Sequence, residues 1–245
     1  MRKLYEKREL MFALLWIVAY CVVLAPIKGQ FGYGSVWWLI AMSAFTAGII
    51  WFVKTNDLEE KYGLKGFLQN SGKYLFFIPM WIIATGNLWD GIAPSYSGIS
   101  LVIATASMIL VGFVEEMIFR GFLFVAMLKN GKTTQAIIIS ALTFGIGHIV
   151  NLFTGQAGFD TVMQVIFAIS WGFIFTMVFY RSGCLIPCII AHAMIDVSSL
   201  YGADNDLSDR IYIGVTILVA IVYCIYLGRL KGAGSKEKLP GQIFG

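Results

Sequence analysis

Eight apolar runs of roughly membrane-spanning length follow one another through this chain, and no other feature constrains its fold so tightly. A helix rises 1.5 Å per residue, so about 20 apolar residues are needed to cross about 30 Å of hydrocarbon. Inside that layer every backbone N–H and C=O must be satisfied within the protein, which leaves helices as the solution for such runs. They cover approximately residues 10–27, 35–53, 74–89, 99–128, 134–150, 161–180, 184–201 and 211–230. Only 13% of the 245 residues are charged and 58% are hydrophobic, whereas about a quarter of a soluble chain is charged. The sequence therefore predicts an all-α, polytopic membrane bundle of about eight transmembrane helices, forming a single domain over residues 1–230. The fourth run is too long for one straight span and is expected to tilt or break near Gly121.

Loop charge orients the bundle, because Lys and Arg accumulate on the cytoplasmic side. Arg2, Lys3, Lys7 and Arg8 precede the first run, and Lys54, Lys61, Lys65 and Lys73 follow the second. Arg120, Lys129 and Lys132 mark the end of the fourth, Arg181 separates the sixth and seventh, and Arg229, Lys231, Lys236 and Lys238 follow the eighth. These are 16 of the 18 basic residues, leaving Lys28 and Arg210 opposite. Eight spans with both termini cytoplasmic is the topology this alternation predicts. The net charge of +4 is then topological: it implies a lipid bilayer as surroundings and no nucleic acid partner. A basic start followed by an apolar run without a small-residue cleavage site reads as a retained first span. Residues 231–245 are expected to form a short, flexible cytoplasmic tail, and Lys54 to Lys73 a mildly amphipathic cytoplasmic loop. Cys21, Cys184, Cys188 and Cys224 all fall inside spans, which argues against a disulfide framework.

An ionisable group in the hydrocarbon costs about 2.5–3.5 kcal/mol on insertion scales, so such groups face a bundle interior and serve chemistry or transport. Both histidines of the chain, His148 and His192, are so placed, as is Glu115-Glu116-x3-Arg120. Glu116 and Arg120 stand four apart in the order that favours a pair on one helix face and read as a structural ion pair. Glu115 points about 100° away and has no local counter-ion, which makes it the candidate base. His148 follows two glycines in Phe144-Gly145-Ile146-Gly147-His148, where a helix or substrate can approach closely. His192 and Asp196 share a helix face, so the carboxylate could orient the imidazole or simply join two helices. Counted from the basic ends, Glu115, His148 and His192 lie about 20, 21 and 14 Å deep, near one level on three helices. A single buried site accounts for that agreement.

Two chemistries are open to such a site. Glu115, His148 and His192 could hold a catalytic Zn²⁺ with an open position for water. Alternatively Glu115 and His148 could polarise water without metal while His192, helped by Asp196, stabilises an oxyanion. Both hydrolyse an acyl bond. The recurrence of Cys184, Cys188, His192 and Asp196 every four residues offers soft ligands as well, but Pro187 interrupts the turn and small residues are ordinary at helix contacts. The chain has neither HExxH nor a GxSxG elbow.

Glu115-Glu116-x3-Arg120, Phe144-x3-His148 and His192-x3-Asp196, in that order on separate spans, resemble the three motifs of the CPBP (Abi) intramembrane proteases, the family that includes the type II CAAX prenyl endopeptidases and bacteriocin-processing or self-immunity proteins. The motif core covers about residues 99–201. The resemblance implies a helical membrane endopeptidase, in a bacterial plasma membrane, that cleaves a membrane-associated protein or peptide in a cavity opening toward the cytoplasm. It implies Glu115 as the water-activating glutamate, His148 as its partner, and His192 with position 196 as the pair stabilising the tetrahedral intermediate. Position 196 is Asp here and often Asn in the prenyl-substrate branch. An ionised Asp cannot donate to an oxyanion, so it would have to be protonated, orient His192 or bind metal. Two other readings accompany this one: a non-proteolytic scaffold or bacteriocin self-immunity protein of the same fold, and a proton-coupled transporter built on mid-membrane Glu and His.

Overall fold

The computed structural model describes residues 1–65, 77–129 and 131–229. Among them the chain is helical, with no strand. The helices are α1 (Arg2–Lys7), α2 (Glu9–Ala19), α3 (Ala25–Phe31), α4 (Val36–Thr55), α5 (Phe77–Ile83), α6 (Gly98–Glu116), α7 (Val125–Leu128), α8 (Thr133–Gly147), α9 (Gly158–Ser182), α10 (Ile186–Ser199) and α11 (Asp206–Arg229). A π-helical turn, Tyr20–Leu24, joins α2 to α3, another, Met117–Phe124, joins α6 to α7, and a 3₁₀ turn, His148–Thr154, extends α8. Six stretches among the described residues are long and apolar enough to cross a membrane: Glu9–Phe31, Val36–Thr55, Gly98–Leu128, Thr133–Phe153, Gly158–Ser182 and Asp206–Arg229. They correspond to six of the eight expected spans.

The other two runs differ from the expectation. The seventh is α10, only 14 residues, or about 21 Å at 1.5 Å per residue. It opens with Pro187 in its first turn and comes after Gly183, whose φ of 68° ends α9, so the chain turns sharply between the two helices. The third run begins in residues 66–76, outside the described residues; its described part consists of α5 and a 3₁₀ turn, Gly86–Leu88. The expected tail, 231–245, and the later part of the Lys54–Lys73 loop also lie outside the described residues. The fourth run does not break at Gly121. It continues through the π-helical stretch Met117–Phe124, all eight residues of which are buried. A π turn carries one extra residue per loop of backbone and is frequent at functional sites; here it begins directly after Glu116.

Cross-links between elements define two ends of the bundle. At one, Lys61 and Lys129 both pair with Glu9, Leu185 N–H donates to Gly63 O at 3.0 Å, and Arg181 Nη2 donates to Gly228 O at 2.9 Å. This end collects nearly all the basic residues described. Arg120, placed there by the charge count, sits instead in the core with no exposure. At the other end, Ala93 N–H donates to Tyr201 O and Ser95 N–H to Leu200 O, while Lys28 Nζ donates to Asn151 Oδ1. Close helix approach depends on small residues, as is usual where lipid supplies no hydrophobic drive between helices. A Cβ on Gly112 of α6 would stand 2.8 Å from Ala193 N of α10, and one on Gly145 of α8 would stand 2.8 Å from Ile169 N of α9.

Candidate active site

The first motif meets the third because α6 and α10 press together at Gly112, one turn before Glu115, and Phe144 of the second meets the His192 ring at 5.6 Å. Glu116 and Arg120 form the expected pair, with Arg120 Nη1 donating to Glu116 Oε1 at 2.7 Å and neither side chain exposed. Two aromatic faces enclose the guanidinium, its central carbon 4.2 Å from the Phe144 ring centroid and 5.3 Å from that of Phe175. Such faces attract a desolvated cation, which offsets part of what Arg120 loses in having no hydrogen-bond partner for Nε and Nη2 among the described residues.

Glu116 does more than neutralise Arg120. Its Oε1 also lies 2.9 Å from His192 Nδ1. A carboxylate only accepts, so Nδ1–H donates and Nε2 is the ring nitrogen left for other work. The orienting partner of His192 is therefore Glu116, from another helix, and not Asp196, four residues away, as the spacing predicts. Asp196 Oδ2 instead faces Nε2 at 3.5 Å, with Glu115 Oε2 on the same nitrogen at 3.6 Å. Asp196 Oδ2 has no hydrogen-bond partner among the described residues. Phe175 lies nearly parallel to the His192 ring at 5.6 Å and Phe144 meets it edge-on at 5.6 Å, so packing holds the imidazole on both sides.

Sequence reasoning misses Tyr20. Its hydroxyl donates to Glu115 Oε1 at 2.6 Å, a short, charge-assisted bond, and it comes from the π-helical turn of the first span. The depth count that groups Glu115 with the histidines is a signal that could have found it, since Tyr20 is 11 residues beyond Glu9, or about 17 Å. His148 caps α8 with its Nδ1 at 3.1 Å from Phe144 O, which fixes the ring and leaves Nε2 free of that bond. Gly147, beside it, has only Phe119 within reach of a would-be Cβ, at 3.9 Å, whereas Gly145 is packed against α9. The two glycines thus serve different purposes, one helix contact and one cavity wall.

All four residues, Glu115, His148, His192 and Asp196, line one cavity of about 460 Å³. Its floor is Phe119, Glu115, Phe144 and His192, and its upper wall includes Lys28, Tyr33, Ser95, Tyr96, Asn151 and Gln156. Lys28 Nζ lies 4.7 Å over the Tyr33 ring, and Asn151 Nδ2 donates in turn to Gln164 Oε1 at 2.7 Å. Several of these lining residues come from the end of the bundle opposite the basic cluster. Below the floor Arg120, Phe122, Phe124, Phe175 and Phe179 are buried. Among the described residues no three His, Cys, Asp or Glu side chains are grouped to hold a metal ion, and Cys188 Sγ is directed at Phe175 O at 3.4 Å.

Residues 97–198 match the family model described as type II CAAX prenyl endopeptidase, Rce1-like. No curated protein and no solved structure matches the chain.

Proposed function

We propose, for a chain that belongs to the CPBP family of intramembrane CAAX-type proteases through its residues 97–198, that it hydrolyses a peptide bond of a membrane-associated protein or peptide with Glu115 as the base. The observation that carries this reading is the meeting of Glu115 Oε2, His192 Nε2 and Asp196 Oδ2 on the floor of one cavity, with the second nitrogen of His192 held by the buried Glu116–Arg120 pair. A water between Glu115 and the carbonyl carbon of the substrate gives its proton to Glu115 and adds as hydroxide, and the carbonyl π electrons move to oxygen. His192, protonated on both nitrogens, donates Nδ1–H to Glu116 and Nε2–H toward that oxyanion; charge-assisted donors held in a closed, low-dielectric site are worth about 2.7–4 kcal/mol each where such donors have been removed. The proton on Glu115 passes to the leaving amine as the C–N bond breaks. Tyr20 keeps the other oxygen of Glu115 engaged, so the base presents one defined lone pair. His148 stands beside the water as the partner of Glu115.

Zinc held by Glu115, His148 and His192 is the alternative, and it requires these three to gather more closely than they do, so no step is routed through it. The test is cleavage of a membrane-associated peptide by the purified, lipid-reconstituted full chain. Glu115→Gln, His148→Ala and His192→Ala are each expected to abolish cleavage while the protein stays monodisperse, and activity is expected to survive exhaustive chelation. Retained cleavage in two of the three variants overturns the assigned site; loss on chelation with recovery on Zn²⁺ alone selects the metal route. A triple variant that still supplied the cell with the protein's phenotype would favour the scaffold reading.

A further inference from the structure

We infer that Lys28 and Trp38 form an anion-binding subsite in the wall of the cavity that holds Glu115, and that the substrate presents a carboxylate there. The subsite deepens the proteolytic reading and rests on it for the word substrate. Its geometry rests on separate observations.

The first is an ammonium that the proposed chemistry does not use. Lys28 is the only Lys or Arg among the described residues lining the cavity. It is half-buried and belongs to the first span, where an unmatched charge is costly. The two carboxylates in the same wall are engaged elsewhere: Glu115 Oε1 accepts from Tyr20 and its Oε2 faces His192 Nε2, as does Asp196 Oδ2. Among the described residues Lys28 forms no ion pair; its Nζ donates to Asn151 Oδ1 at 2.9 Å and stands 4.7 Å over the Tyr33 ring. An ammonium has three N–H donors. One goes to Asn151 and one toward the ring face, which leaves one for the cavity.

The second observation is that this ammonium is held in place. Asn151 is 6% exposed, and its Nδ2 donates to Gln164 Oε1 at 2.7 Å, which turns Oδ1 toward Lys28. A lysine of α3 is thus fixed through the 3₁₀ turn by α9. A charged side chain ordered before its ligand arrives loses less freedom on binding.

The third observation is a second donor beside it. Trp38 is 3% exposed, lines the cavity, and its Nε1–H has no acceptor among the described residues. Tyr33 meets the Trp38 ring edge-on at 5.7 Å, so the indole and the ammonium stand against one aromatic ring. A buried donor without an acceptor is costly, and a carboxylate brings two acceptor oxygens. The anions a peptide carries are carboxylates, borne by Asp and Glu side chains or by the C-terminus. A carboxylate in the subsite would answer both the charge of Lys28 and the orphan N–H of Trp38.

The test is binding of N-palmitoylated, alanine-rich heptapeptides to the full chain in nanodiscs of zwitterionic lipid, with empty discs as the baseline. The Glu115→Gln background keeps any peptide from being consumed. One peptide is amidated and neutral, a second has a free C-terminus, and a third set is amidated with one Glu at each position in turn. At least one carboxylate form is expected to bind about tenfold more tightly than the neutral peptide, as one charge-assisted hydrogen bond would give. Which form gains tells a side-chain carboxylate from a terminal one. Lys28→Met is expected to abolish the preference and leave the affinity of the neutral peptide unchanged, Lys28→Arg to keep it, and Trp38→Phe to reduce it. Equal affinity for all forms, a preference that survives Lys28→Met, or a loss shared by the neutral peptide overturns the inference. Should Lys28→Met fail to accumulate, Lys28→Gln, which keeps a donor for Asn151, reports the same loss of charge. Cleavage of the same peptides is read separately in the wild type: a preference without cleavage of any of them counts against the proteolytic reading and keeps the subsite.

Discussion

Arg120→Met isolates the energetic centre of the site. The guanidinium and Glu116 are both without exposure and 2.7 Å apart, so the substitution removes the counter-ion of a carboxylate that water does not reach. Removing one partner of a buried pair costs about 3–5 kcal/mol. His192 Nδ1 still bonds the carboxylate at 2.9 Å, which places the expected loss at the lower end, about 3 kcal/mol, or roughly a 150-fold shift in the unfolding equilibrium at 1.4 kcal/mol per tenfold. The double variant Glu116→Gln/Arg120→Met removes both charges, keeps a carbonyl oxygen to accept from His192, and fills the space between Phe144 and Phe175 with an apolar chain. Replacing a whole buried pair by groups of similar volume is often neutral or stabilising, so at least half of the loss is expected to return. Equilibrium unfolding of the purified chain in mixed micelles, followed by tryptophan fluorescence, measures both. Wild-type stability in the single variant, or a double variant as unstable as the single, would refute the assignment of Arg120 as the obligatory counter-ion.

Tyr20→Phe removes one charge-assisted hydrogen bond from Glu115, worth about 1.5–3 kcal/mol, and should lower kcat about 10- to 100-fold with little change in KM; an unchanged kcat in steady-state peptide cleavage would remove Tyr20 from the positioning of the base. Gly145→Ala drives a methyl group into Ile169, with its backbone N at 2.8 Å and Val165 O at 3.0 Å, and should cost about 1–3 kcal/mol by overpacking. Gly147→Ala meets only Phe119 at 3.9 Å and should leave the melting temperature in detergent unchanged; equal effects at the two glycines would contradict the separation of helix contact from cavity wall.

How much of this could be read from residue order varies with the physics of each feature. Hydrophobic runs are local properties, so the helical membrane class comes from them directly. Ionisable residues in apolar runs are costly wherever the partners are, so Glu115, His148, His192 and Asp196 stand out in the sequence, and the i, i+4 spacing of Glu116 and Arg120 marks their pair. Run length is a poorer guide to the seventh run, whose helix α10 has only 14 residues, and Gly121 does not break the fourth run, which continues through a π-helical stretch.

Three matters are decided by tertiary structure alone. Glu116, not Asp196, holds His192, because the approach of α6 to α10 at Gly112 is a contact between residues some 80 positions apart, and no periodicity within either helix encodes it. Tyr20 reaches Glu115 only because the first span packs against the fourth. Glu115, His148, His192 and Asp196 line one cavity because α6, α10 and the end of α8 come together there. The sequence determines which groups are too expensive to leave in lipid; which of them face one another is a property of how the helices pack.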